Sequence, residues 1–173
     1  LVGDRIFEPL GMNSSTFIVG PDLSRRLSVG FDPGNDGVVD ARTPALEHEG
    51  RGYKVPNGGV YSTVGDLATF GAAVMGYTEF ELLEPATRAE VMRWQTPPDG
   101  PGYSLGFSID RVTLPNGSEV QFVGHGGGVS GYNAYLVFEP ESGWGVVMLR
   151  NYNSGHTNLG GASDALLTQL LVK

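Results

Sequence analysis

The 173-residue chain is 40% apolar and 17% charged with a formal net charge of −8; this is the make-up of a globular domain, one long enough to bury roughly 70% of its unfolded surface. Nine of the eleven basic residues are Arg and no basic run exists, so nucleic-acid binding has no electrostatic footprint. Cys is absent, which removes disulfides and thiolate metal sites without fixing the compartment, and no apolar run approaches the ~18 residues of a membrane span.

Leu1-Val2-Gly3-Asp4-Arg5-Ile6-Phe7 does not read as a natural start. It looks like the last turns of an amphipathic helix carrying Val2, Ile6 and Phe7, stopped by Pro9, which suggests a fragment. Residues 19–56 show little periodicity and are punctuated by Gly30, Pro33-Gly34-Asn35-Asp36-Gly37 and Pro44. They predict a long irregular connection with one short hairpin about 27–42, and loops of that length often belong to binding sites. Thr63 is placed to cap a helix, with Asp66 completing a near capping box and complementing the macrodipole. Leu67, Phe70, Gly71 and Val74 form its apolar stripe. A second helix is expected to start at Pro85 and to end before Thr96-Pro97-Pro98, turning Val91 and Trp94 inward. Strands are predicted over 103–111, 119–123, 133–138 and 144–149, with turns at Pro115-Asn116-Gly117 and Pro140-Glu141-Ser142-Gly143. A closing helix, capped by Ser163 or Asp164, is expected to bury Leu166, Leu167, Leu170 and Leu171. Residues 1–173 thus form a single unit: helices and long loops over 1–100, then antiparallel strands and a terminal helix over 101–173. The class is α+β, an antiparallel sheet packed by helices.

Between the second and third strands lies Gly124-His125-Gly126-Gly127-Gly128-Val129-Ser130-Gly131-Tyr132. A strand that runs into glycines has given up side-chain packing there, which points to a bulge or to another molecule close against its backbone. The plainer alternative is a glycine-rich hairpin with a satisfied histidine. Three His residues without HxxxH or HxH spacing make no metal site, and neither a phosphate-cradling nor a dinucleotide motif is present, so no cofactor is expected. Ser130 lacks the final glycine of a GxSxG elbow and sits between two strands, which argues against a nucleophile. The two Lys residues, Lys54 and Lys173, do not follow a serine by three, so no SxxK occurs. His48 and His156 read as surface or loop residues.

Four segments together resemble the C-terminal part of the serine β-lactamase family in its broad sense: class C β-lactamases, penicillin-binding proteins and D-Ala-D-Ala carboxypeptidases, and related esterases. They are Ile6-Phe7-Glu8-Pro9-Leu10-Gly11-Met12 with Thr16, Gly58-Gly59-Val60-Tyr61-Ser62-Thr63 with Asp66-Leu67 and Phe70, Gly124-His125-Gly126-Gly127 with Gly131-Tyr132, and Val146-Val147-Met148-Leu149-Arg150-Asn151. The third is similar to the motif usually written KTG. The resemblance implies a serine hydrolase acting on amide or ester bonds through an acyl-serine. The SxxK serine and lysine and the Tyr-x-Asn tyrosine would lie before Leu1, leaving this chain inactive alone and partnered by that missing N-terminal part. By resemblance, His125 and the Gly128 amide are catalytic, the latter as an oxyanion donor, and Gly126, Gly127 and Tyr132 contact the substrate. His125 stands where many members carry Lys, making the charge there conditional on pH. Gly126 replaces a residue whose hydroxyl usually holds a substrate carboxylate, which favours an esterase or peptidase over efficient lactam turnover. The family is mostly exported, so a periplasmic or extracellular location is expected, with self-association through an open strand edge as a further expectation. A non-catalytic peptide- or glycan-binding module of the same fold is the alternative function.

Overall fold

The computed structural model describes residues 1–33, 38–42, 44, 52, 55–97, 99–152, 154 and 157–172. Residues 48 and 156, the histidines expected at the surface or in loops, lie outside this set, as do both lysines.

Residues Gly3–Phe7 make one π-helical turn, closed by Glu8 N–H donating to Gly3 O at 2.9 Å. Its apolar Ile6 and Phe7 are half-buried, as the amphipathic pattern requires. The long connection begins with a one-turn helix α1 (Pro21–Ser24). It then contains the anticipated short hairpin, β1 (Asp32–Pro33) antiparallel to β2 (Val39–Asp40).

Helix α2 (Val64–Met75) starts at Thr63, whose hydroxyl oxygen accepts from Asp66 N–H at 3.2 Å. The expected capping box is not reciprocal, however. The Asp66 carboxylate reaches across the chain instead, accepting from Ser14 N at 2.9 Å and Ser15 Oγ at 2.7 Å. Ser15 Oγ also meets Ser62 Oγ at 2.8 Å, and Thr16 and Tyr61 exchange backbone hydrogen bonds. The loop after Met12 and the entry to α2 are therefore one stitched unit. Helix α3 (Pro85–Val91) begins on its proline but stops four residues before Gln95. Its last carbonyls are taken by side chains from elsewhere: Ser104 Oγ donates to Val91 O at 2.6 Å and Gln121 Nε2 to Met92 O at 2.8 Å. Those partners end the helix before the proline pair can.

The sheet is an antiparallel meander, β3 (Ser108–Thr113), β4 (Glu119–Val129), β5 (Tyr132–Glu139) and β6 (Trp144–Arg150). The first strand starts five residues later than the pattern suggests. Gly106 lies at φ 91° and Ser104 N–H closes a turn onto Phe107 O at 2.8 Å, so residues 103–107 form a loop. Conversely, β4 does not end at the glycines but runs through them to Val129. Helix α4 (Leu159–Leu171) starts earlier than expected, and its cap is Asn158, whose Oδ1 accepts from Gly161 N–H at 3.2 Å. Ser163 is instead buried inside the helix, its hydroxyl donating to Leu159 O at 2.9 Å. Gly160 and Gly161 in the first turn hide the true start, since glycine is a poor helix former. Of the expected buried leucines, Leu167 is fully buried and Leu170 and Leu171 pack beside it, while Leu166 is 41% exposed.

Two apolar layers hold the sheet. On one face Ile109, Val123 and Phe138 meet Val74 of α2, with Phe70, Val91 and Trp94 packed around them. On the other, Phe122, Val137 and Val146 meet Leu167 of α4. Strand alternation then assigns each side chain of β4 to a layer. Odd residues, including His125, share the α2 face, and even residues share the α4 face.

Candidate functional site: the unpaired half of a strand

Strand β4 is paired with β5 along residues 123–129, from Val123↔Phe138 to Val129↔Tyr132. On its other side the pairing with β3 stops at Ser108↔Gly124. Residues 125–129 therefore have one free edge among the described residues. One hydrogen bond decides which groups face that edge. Ile109 N–H donates away from β4, to Gly102 O at 2.9 Å. Hydrogen-bonding positions alternate along an antiparallel strand, so Ser108, Asp110 and Val112 are the ones aimed at β4, and their partners Gly124, Phe122 and Val120 aim back. Continuing the alternation, the N–H groups of Gly126 and Gly128 point to the same edge beyond the end of β3, where no described residue bonds them. Both Gly127 and Gly128 are exposed.

The glycines are bare for different reasons. A Cβ on Gly124 would stand 2.5 Å from Leu136 O, and one on Gly126 would stand 2.9 Å from Cδ2 of Tyr135. Gly124 is bare because the β5 backbone closes against it, and Gly126 because the Tyr135 ring fills the space on its face. A Cβ on Gly128 would meet Asn133 Nδ2 at 2.9 Å, and Asn133 is in turn held by Arg150 Nη2 donating to its Oδ1 at 2.8 Å. Gly127 has nothing within 4 Å of that position. It opens the α2 face of the strand beside His125.

His125 is exposed, and its Nε2 lies 3.1 Å from the Tyr103 hydroxyl, with the two rings edge to face at 6.2 Å and 75°. Tyr103 comes from the loop that replaces the expected start of β3. Its flanking glycines, Gly102 and Gly106, are the sequence signal that this stretch is not strand.

The long connection braces the β4–β5 turn. Asp32 accepts from Gly131 N–H at 2.9 Å and from Ser130 Oγ. That bond commits the Ser130 hydroxyl to shaping the β4–β5 turn, where Gly131 sits at φ 79°. The Tyr132 hydroxyl donates to Ser28 O at 2.7 Å, and burial pushes its phenol up from its ordinary range. Tyr132 is thus a neutral donor that props the connection. Asn151 donates to Val29 O at 2.9 Å and accepts from Phe31 N–H at 3.0 Å. Opposite, a Cβ on Gly58 would touch Val129 Cγ1 at 3.1 Å. Of the other motif-bearing segments, the second reaches the end of β4 directly at Gly58, the fourth is bonded through Asn151 to the connection that carries Asp32, and the first is stitched to the second. Nothing in the sequence points to Asp32 or Asn133, and Arg150 appears there only as part of the fourth segment; their roles come from contacts across about one hundred residues or from the neighbouring strand.

Comparison with known proteins agrees with this architecture. A family model described as Beta-lactamase matches residues 1–170. The chain is 25% identical over 183 aligned positions to the D-alanyl-D-alanine-carboxypeptidase/endopeptidase AmpH of Escherichia coli K12, covering 98% of this chain and 44% of that protein. Its fold is similar to an octameric penicillin-binding protein homologue from Pyrococcus abyssi, with a TM-score of 0.72, 24% identity, and coverage of 99% of this chain and 37% of that one. A class C β-lactamase gives a TM-score of 0.71 at 18% identity, over 98% of this chain and 50% of that one. The chain spans less than half the length of the curated carboxypeptidase it matches. Among the described residues no helix is long and apolar enough to cross a membrane.

Proposed function

Because the chain belongs to the beta-lactamase family, we propose that it forms the substrate-binding and oxyanion half of a serine hydrolase acting on amide or ester bonds through an acyl-serine. The observation that carries this reading is the free edge of β4, with the Gly126 and Gly128 amides aimed along it. An extended substrate laid on that edge gains main-chain hydrogen bonds as an added strand. In the reaction, a serine oxygen attacks the substrate carbonyl carbon, and the carbonyl oxygen becomes an oxyanion. The Gly128 N–H donates to that oxygen, and a preorganised donor of this kind contributes roughly 3 kcal/mol of transition-state stabilisation. Gly127 leaves room on the α2 face for the reacting group, and His125 stands beside it. The attacking serine and its lysine would come from an SxxK segment, a pattern absent from these 173 residues.

The substrate class is a D-amino-acid peptide, ester or β-lactam. Gly126 offers no hydroxyl for a substrate carboxylate, and the Tyr135 ring fills the space where one would sit. That favours peptide or ester over lactam. A periplasmic or extracellular setting, association with an SxxK-bearing partner segment, and self-association through the free edge belong to the same reading.

Two measurements on the 173-residue chain test it. An acyl-D-alanyl-D-alanine peptide should shift the amide resonances of Gly126 and Gly128, and its L,L isomer should shift them less. Unmoved glycine amides at millimolar peptide would defeat the proposal. The chain should also fail to turn over nitrocefin or p-nitrophenyl esters; turnover would mean that its nucleophile lies within these residues.

A further inference from the structure

The contact between His125 and Tyr103 constrains the imidazole in a way that the strand alone does not. Tyr103 is fixed on both sides of its backbone. Its N–H donates to Thr96 Oγ1 at 3.1 Å, and its carbonyl accepts from Gln95 N–H at 2.9 Å. The phenol therefore arrives at His125 from a pinned loop. It meets Nε2, at 3.1 Å. A phenol is a good donor and a poor acceptor, because its oxygen lone pair is delocalised into the ring. An imine nitrogen is the best acceptor that an imidazole has. In the neutral ring, O–H···N from Tyr103 to Nε2 is thus the stronger pairing, and the ring proton must then sit on Nδ1. Nδ1 has no hydrogen-bond partner among the described residues, and the ring is exposed beside the open space at Gly127.

We propose that Tyr103 is a positioning residue that holds the neutral imidazole of His125 in its Nδ1–H tautomer at the free edge of β4. Where the similar motif carries an ammonium with three donors, the neutral ring in this tautomer would offer one directional N–H. The acceptor it suits is a carbonyl or carboxylate oxygen of a ligand lying along β4; that use rests on the function proposed above, whereas the tautomer does not. Free histidine prefers the opposite form, with the proton on Nε2, so the pairing leaves a spectroscopic signature.

The test is ring nitrogen NMR on the uniformly labelled chain, at a pH where the imidazole is neutral. The His125 signals are assigned by their loss in His125→Gln. Nε2 is expected at the shift of an unprotonated ring nitrogen and Nδ1 at that of a protonated one. Tyr103→Phe is expected to invert the pair to the Nε2–H form. A wild-type ring already protonated on Nε2, or a ratio unchanged by Tyr103→Phe in a folded chain, overturns the proposal. Should Tyr103→Phe not fold, the wild-type spectrum decides alone, since it reads the protonated nitrogen directly. A chain with this tautomer that binds no peptide loses the proposed function and keeps the Tyr103–His125 pairing.

Discussion

The two halves of β4 are built to opposite specifications. Residues 119–124 are paired with β3, the last two of them with β5 as well, and bury Phe122 and Val123 between α4 and α2. Residues 125–129 are paired on one side, expose His125, Gly127 and Gly128, and carry no large side chain between His125 and Val129. One continuous strand therefore serves as a core element for half its length and as an open edge for the rest. The buried half supplies the rigidity that lets the open half hold amides in a fixed direction. A strand edge left free is ordinarily an aggregation hazard. The stretch of β4 left without a β3 partner is five residues long and lies beside the pinned Tyr103 loop.

Substitutions can separate the two roles. The largest loss of stability is expected from Phe122→Ala in the inner half, about 3–5 kcal/mol, because the side chain is 2% exposed and the pocket is bounded by Val137, Val146 and Leu167. Chemical denaturation would measure it. Gly128→Pro in the outer half should do the reverse. It removes an N–H that faces away from β5 and brings a Cβ within 2.9 Å of Asn133 Nδ2, so it should cost about 1–3 kcal/mol, less than Phe122→Ala, while turnover, in a protein that joins this chain to an SxxK segment, falls roughly 100- to 1,000-fold. Equal loss of stability and turnover would erase the distinction between the halves. A third comparison lies within the glycines. Gly126→Thr must displace the Tyr135 ring and should cost about 1–3 kcal/mol. Gly127→Ala meets nothing within 4 Å and should stay within ~0.5 kcal/mol of the parent.

The smallest effect concerns the layer beneath both halves. Burial, with the Asp110 charge adding to it, pushes the Asp164 carboxyl up from its ordinary range. A raised carboxyl means that the folded state binds the proton more tightly than the unfolded chain does. Stability is then highest at low pH and falls as pH rises through the window between the two values. Asp164→Asn should remove that slope and raise Tm above the window while leaving it unchanged below. A Tm difference that is constant across pH would exclude this cause.

Sequence patterning is most informative where a short-range rule decides the structure. Thr63 as a cap, Pro85 as a helix start and the alternation of β5 and β6 need only their neighbours. It fails where distant groups compete. By pattern Asp66 belongs to its own helix end, but two serines fifty residues away are closer to its carboxylate. The start of α4 is obscured by two glycines that tertiary packing overrides, and α3 is cut short by side chains from the sheet. At the site, the glycines and His125 are visible because bare backbone is unusual in a strand. Their reasons are not visible. Gly124 is small because the β5 backbone lies against it and Gly126 because of the Tyr135 ring, and of the four glycines in β4 only Gly127 opens space. Tyr103 reads as strand from sequence, because an aromatic in an apolar stretch has that propensity.

The clamp of Asp32 on Ser130 and Gly131, with Asn151 bonded to Val29, joins residues separated by 98 to 122 positions. The hairpins of the meander close over a few residues and can zip early, whereas a contact of that separation waits for most of the chain to be placed. The clamp at the β4–β5 turn should accordingly be the last part to assemble during refolding. In pulse-labelled hydrogen exchange, the Gly131 amide should gain protection after the β5 amides, and a mutation that loosens the clamp should speed unfolding while barely slowing folding.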